Sequence, residues 1–100
     1  MPNTYSQIYI QVVFATKGRE TLIEDKNRQE IEKYITGILT NKGQKLIAVY
    51  ANPDHLHLFF SYKNLKITIP ELVKIIKSES TKFINDKRLS FGKFAWQESY

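Results

Sequence analysis

One hundred residues with 42% hydrophobic, 13% aromatic and 25% charged side chains make one domain spanning 1–100, too short for two and too apolar for a disordered chain. The chain has no cysteine, which excludes disulfides and thiolate metal sites and gives no reason to expect an oxidising compartment. Met1 to Gln7 is polar, and apolar runs such as Val12 to Ala15 and Leu58 to Phe60 fall far short of a bilayer span, so the expectation is a cytoplasmic protein without a membrane partner.

The formal charge of +5 is unevenly spread. Residues 1–62 carry seven basic and six acidic groups, whereas residues 63–100 carry eight basic and four acidic ones. A basic C-terminal third suits a polyanionic partner such as nucleic acid, although a solvated cationic surface is the plainer explanation of so small an excess.

Gln7 to Phe14 predicts a first strand, because Ile8, Ile10, Val12 and Phe14 recur at period two. From about Glu24 the period changes. Ile31, Tyr34, Ile35, Ile38 and Leu39 fall on one helical face, and Asn41 and Gly43 are residue types that close a helix in the left-handed region. Lys45 to Ala51 predicts a second strand, Asn52-Pro53-Asp54 a tight turn, and His55 to Tyr62 a third strand antiparallel to the second. Thr68 to Glu71 has the form of a capping box with Pro70 in the first turn. The helix it opens places Leu72, Val73, Ile76, Ser80, Phe83 and Ile84 inward. Lys74, Lys77, Ser78, Thr81, Lys82 and Asn85 lie outward as a basic stripe without an acid. Phe91 to Tyr100, with Phe94 and Trp96 in alternation, reads as a fourth strand.

This order, β-α-β-β-α-β, predicts an α+β, ferredoxin-like fold: one antiparallel sheet with both helices on one face and the other face free. Leu56, Leu58 and Phe60 then turn toward the helices, and His55 and His57 away from them. Two histidines at i and i+2 of a strand have Cα atoms about 6.5 Å apart on the same face, within reach of one divalent cation. A His-x-His pair is a weak signal alone, since two ordinary half-exposed histidines give the same pattern. These are the chain's only two histidines, and they follow a tight turn in mid-sheet. Two imidazoles hold a metal poorly, so a third ligand from a carboxylate, amide, water or phosphate oxygen is required.

At these residues the sequence resembles the single-domain HUH tyrosine transposases of small bacterial insertion sequences and their relatives associated with repetitive extragenic palindromes. The resemblance covers essentially the whole chain. It is strongest at Pro53-Asp54-His55-Leu56-His57-Leu58-Phe59, with further blocks at Val12 to Arg19, Lys77 to Ser80 and Phe94 to Gln97. It implies a metal-dependent enzyme that cuts and rejoins single-stranded DNA with hairpin ends. In the family the histidine pair holds Mg²⁺ or Mn²⁺ against the scissile phosphate, a tyrosine attacks to leave a 5′-phosphotyrosine, and the protein works as a homodimer. It also tilts Lys17 and Arg19, loop cations just past the first strand, toward DNA, beside Lys74, Lys77 and Lys82.

The chain departs from the family pattern in one respect. The family's nucleophilic tyrosine, and a glutamine four residues later that completes the metal site, lie on a further helix beyond the Trp-Gln strand. None of Tyr5, Tyr9, Tyr34, Tyr50, Tyr62 or Tyr100 suits that role, so the expectation is a fragment of a longer transposase, with a truncated relative that binds without cutting as the alternative. A histidine-triad hydrolase would want a histidine at Phe59, and a two-histidine phosphoesterase a second His-x-Ser/Thr elsewhere. The remaining rival is a non-catalytic nucleic-acid-binding module of ferredoxin-like fold, stacking bases on sheet aromatics, in which a histidine pair has no role.

Overall fold

The computed structural model describes residues 7–98. Three strands, β1 (Tyr9–Ala15), β2 (Lys45–Ala51) and β3 (His55–Ser61), form an antiparallel sheet in the order β1-β3-β2. Two helices, α1 (Arg28–Asn41) and α2 (Ile69–Lys87), complete the α+β fold that the sequence pattern predicts. The strand boundaries move by a residue or two: Ile8 lies ahead of β1 and Tyr62 beyond β3. The helical pattern from Glu24 begins as a 3-10 turn over Asp25–Asn27 and becomes α-helical at Arg28.

Alternation along β3 sorts its side chains as expected. Leu56, Leu58 and Phe60 have no exposed surface, and they share one core with Val12 and Phe14 of β1, Ile31, Ile35 and Leu39 of α1, and Leu72, Ile76 and Ile84 of α2. Each such side chain contributes about 1.5–3 kcal/mol by leaving water, so a one-residue slip of β3 would expose three of them and bury two histidines. Above this core the Tyr34 and Phe83 rings stack 3.9 Å apart and 7° from parallel, fastening α1 to α2. The helix ends are specified locally. Gly43 adopts φ +80°, and a Cβ there would stand 2.9 Å from the Asn64 Cβ. The Thr68 hydroxyl accepts from the Glu71 N–H while the Glu71 carboxylate accepts from the Thr68 N–H, completing the capping box.

The fourth strand is corrected. Among the described residues, the segment after α2 meets the sheet only at an isolated bridge between Thr16 and Trp96, through Lys17 N–H to the Ala95 carbonyl at 2.9 Å and Gln97 N–H to the Ala15 carbonyl at 2.8 Å. This lies on the side of β1 away from β3, where a fourth strand would add. A ladder does not extend from it because the Asn85 side chain takes both polar groups of Phe94: its amide donates to the Phe94 carbonyl at 3.0 Å and its oxygen accepts from the Phe94 N–H at 2.7 Å. Phe94 and Trp96 are both buried, edge-to-face with each other, and Trp96 is also edge-on to Phe14. Tyr100 lies outside the described residues.

Trp96 is anchored through its indole N–H, which donates to the buried Ser80 hydroxyl at 2.9 Å. Replacing Ser80 by Ala leaves that N–H buried without an acceptor, and the expected loss of stability is about 1–3 kcal/mol. Urea denaturation of S80A against the unaltered chain measures it, and an unchanged midpoint would mean that the indole N–H reaches water in solution.

Candidate functional site

β3 carries the two histidines in its first three residues, on the face opposite the helices. Antiparallel pairing sets Val13 of β1 and Tyr50 of β2 on either side of His57, and Ala15 beside His55. Nothing in the described chain covers this face: Val13 is 41% and Tyr50 47% exposed. Farther along it the Tyr9 and Phe59 rings stack with centroids 5.9 Å apart. A shallow cavity of about 320 Å³ opens between Gln11, Ala48, Tyr50, His57 and Phe59.

The imidazoles converge. His55 Nε2 and His57 Nε2 are 3.1 Å apart, with ring centroids at 4.8 Å and planes 76° apart. On its other side His55 Nδ1 meets the Asp54 carboxylate at 2.6 Å. That hydrogen bond to His55, together with the nearby Arg19 guanidinium, holds the Asp54 carboxyl below its ordinary range. An ionised carboxylate only accepts, so His55 Nδ1 is the donor, and in the neutral ring its Nε2 carries a lone pair. The Asn52 side-chain amide reaches the same Nε2 at 3.3 Å.

This donor set fits a divalent cation. Two imidazole nitrogens each about 2.1 Å from one octahedral ion, at right angles, stand about 3.0 Å apart, and the observed separation is 3.1 Å. The carboxylate behind His55 is the partner that metal-bound histidines ordinarily have. Among the described residues no group of three or more His, Cys, Asp and Glu is placed to hold a metal, so no described carboxylate completes the set, and the polar side chain next to the pair is the Asn52 amide. Asn52 is the residue that sequence reasoning missed. It reads as a turn former, and only the closing of the turn onto His55 reveals its amide beside the pair.

The turn itself is held by Thr16, which is fully buried. Its N–H donates to the Asp54 carbonyl at 2.9 Å, and its hydroxyl reaches the Glu20 carbonyl at 2.6 Å and the Asp54 carbonyl at 3.1 Å. Lys17 and Arg19 therefore follow directly from the residue that fixes the histidine turn. They occupy a 3-10 turn, with Gly18 at φ +68° and Arg19 at φ +54°.

The lysines of α2 lie elsewhere, on the helix side of the sheet, and the expectation of an outward basic stripe without an acid is corrected. Lys74 is exposed. Lys77 is half-buried, donating to the Gln97 carbonyl at 2.7 Å and lying over the Phe14 ring at 5.5 Å, and this burial lowers its ammonium from the ordinary lysine range. Lys82 pairs with Asp86 one turn on, at 3.2 Å, so an acid does accompany the stripe. Asn85 is spent on Phe94. Lys74 and Lys77 instead flank an apolar groove of about 620 Å³ between α2 and the Ala95 to Glu98 segment.

Tyr50 flanks His57, but each described tyrosine has a hydroxyl or ring partner other than the pair. Tyr34 stacks on Phe83, and Tyr62 donates to the Ile67 carbonyl at 2.5 Å. Tyr50 accepts from Arg28 at 3.0 Å, and Tyr9 donates to Gln7. Tyr5 and Tyr100 lie outside the described residues. No helix among the described residues is long and apolar enough to cross a membrane.

Comparison with solved structures finds a candidate transposase from Deinococcus radiodurans R1, 22% identical, with a TM-score of 0.82 over 99% of this chain and 79% of that one. At this identity the likeness establishes the fold. No curated protein matches the chain. The family model described as "Transposase IS200 like" matches residues 4–100, very nearly the full length, and the stretch it matches contains the histidine pair, its turn and the buried Trp96 segment. The chain belongs to the IS200-like transposase family.

Proposed function

We propose that the protein works on single-stranded DNA with hairpin ends, as a homodimer, through a divalent cation held at His55 and His57. The observation that carries this reading is the 3.1 Å approach of the two Nε2 atoms on an uncovered sheet face. His55 and His57 would hold Mg²⁺ or Mn²⁺, and the Asn52 amide, whose N–H₂ faces His55 in the free protein, would turn over to offer its oxygen as the third protein donor. Bound there, such an ion would neutralise charge that develops on the scissile phosphate oxygens. Lys17 and Arg19, beside the histidine turn, give the phosphate chain a cationic approach to the pair. Lys74, Lys77 and Lys82 lie across the sheet and form a second, weaker contact region, since two of them are already bonded within the chain.

The reaction proposed is cleavage and rejoining through a 5′-phosphotyrosine, which conserves the phosphodiester energy in the covalent ester. No described tyrosine is assigned as the nucleophile, because each hydroxyl or ring is committed elsewhere. The described residues are therefore read as the DNA-binding and cation-binding part of that chemistry.

Adding Mn²⁺ while following the imidazole resonances should broaden those of His55 and His57 together, because one ion relaxes both rings. A response from one ring only, or from neither, removes the shared site. Incubating the chain with single-stranded hairpin DNA and Mn²⁺ should yield no covalent protein–DNA band on a denaturing gel, and a 5′-tyrosyl adduct would show that a tyrosine of this chain reaches the phosphate after all.

For the cationic approach, Lys17→Gln with Arg19→Gln should weaken binding for every DNA sequence alike. It should also flatten log affinity against log salt by roughly 0.7 per lost phosphate contact, about 1.4 for the pair. Lys74→Gln with Lys82→Gln should change that slope less. The reverse order would place the DNA on α2.

A further inference from the structure

The Asp54, His55 and His57 side chains form a continuous hydrogen-bonded row, and with both rings neutral its two distances restrict the protons to one arrangement. The Asp54 carboxylate accepts the Nδ1–H of His55 at 2.6 Å. A neutral imidazole has a single N–H, so His55 Nε2 is then an acceptor. His57 Nε2 lies 3.1 Å from it. Two lone pairs facing each other at that distance repel, whereas a proton on His57 Nε2 makes a hydrogen bond. Asn52 supports the same polarity, because its amide N–H₂ is directed at His55 Nε2.

We propose that Asp54 is a positioning residue that sets the tautomers of both histidines. His55 is held as the Nδ1–H form, with Nε2 ready to bind, and His57 in the free protein is held as the Nε2–H form that donates to it. The pair is therefore unequal. His55 can take a cation as it stands, whereas His57 must first lose its proton from Nε2 and gain one at Nδ1 from solvent. His57 is exposed and its Nδ1 meets no partner among the described residues, so water can make that exchange. The ring remains neutral and no net proton is released. The tautomer assignment stands on the free protein alone, and its consequence for cation uptake rests on the function proposed above.

The backbone of the turn does not depend on the Asp54 carboxylate, since Thr16 binds the Asp54 carbonyl. Asp54→Ala and Asp54→Asn therefore test the side chain alone, with the Thr16 amide resonance reporting that the turn is intact. Long-range proton–nitrogen correlation at a pH where both rings are neutral should show opposite tautomers for the two histidines in the unaltered protein. His55 should shift toward Nε2–H in Asp54→Ala, with Asp54→Asn in between because its amide oxygen still accepts. Zn²⁺, which is diamagnetic, should change the tautomer of His57 and not of His55. Mn²⁺ affinity, read by the loss of free-ion paramagnetic signal, should fall about 10- to 100-fold in Asp54→Ala.

Like tautomers in the unaltered protein, or an unmoved His55 in Asp54→Ala, would overturn the proposal. So would an Mn²⁺ affinity that ignores the substitution. If the unaltered protein takes up neither Zn²⁺ nor Mn²⁺, the cation reading fails, while the free-protein tautomers still decide the role of Asp54.

Discussion

Thr16 joins parts of the chain that are far apart in sequence, and the site depends on that junction. It stands where β1 ends, with its hydroxyl and N–H both buried and both directed at carbonyls. One partner is in the turn between β2 and β3, another closes the cationic 3-10 turn, and its strand position pairs with Trp96. A buried hydroxyl without acceptors would cost about 1–3 kcal/mol, so the histidine turn and the 3-10 turn are held together by the need to satisfy a single residue, while its neighbours Ala15 and Lys17 bond the Trp96 segment. The histidine turn is thereby fixed to the end of the sheet more firmly than a two-strand hairpin could fix it.

The sheet divides the molecule into a packed side and an open one. All the apolar stripes of α1 and α2 are used on the packed side, which leaves the histidine face with a mixture of aromatic, small and polar residues. The Phe94 to Trp96 segment extends the packed side past the edge of β1, and its indole reaches α2 through Ser80. A strand carries the two histidines, and the irregular backbone close to them is the Asn52 to Asp54 turn and the Lys17 to Arg19 turn, both bonded to Thr16. Such a framework suits a pair of ligands whose separation has to be kept within a few tenths of an ångström.

Much of this was legible in the sequence, for specific reasons. The second strand and the start of the third were readable to the residue because Asn-Pro-Asp is turn chemistry and the alternation resumes at His55. The second helix was readable from its capping box. The C-terminal segment was misread because Phe94 and Trp96 alternate as a strand does. They are buried instead by side-chain bonds from Asn85 and Ser80, which leave no periodic trace. Lys77 was misread for the same reason, since helical spacing cannot report that a later segment folds over it. The histidine pair was visible as a pattern, but the parts of Asn52 and Asp54 emerge only when the turn closes.

The irregularity in β2 bears on solubility. Leu46 to Ala51 is a run of six apolar residues of high strand propensity, and β2 lies at the outer edge of the sheet, where its unpaired backbone groups would template another strand. The register shift between Leu46 and Ala48 inserts Ile47 as an unpaired residue, 44% exposed, and bends the edge. A second flat strand cannot follow that bend along its length, so the segment of this chain best suited to amyloid-like stacking is spoiled for it by one extra residue.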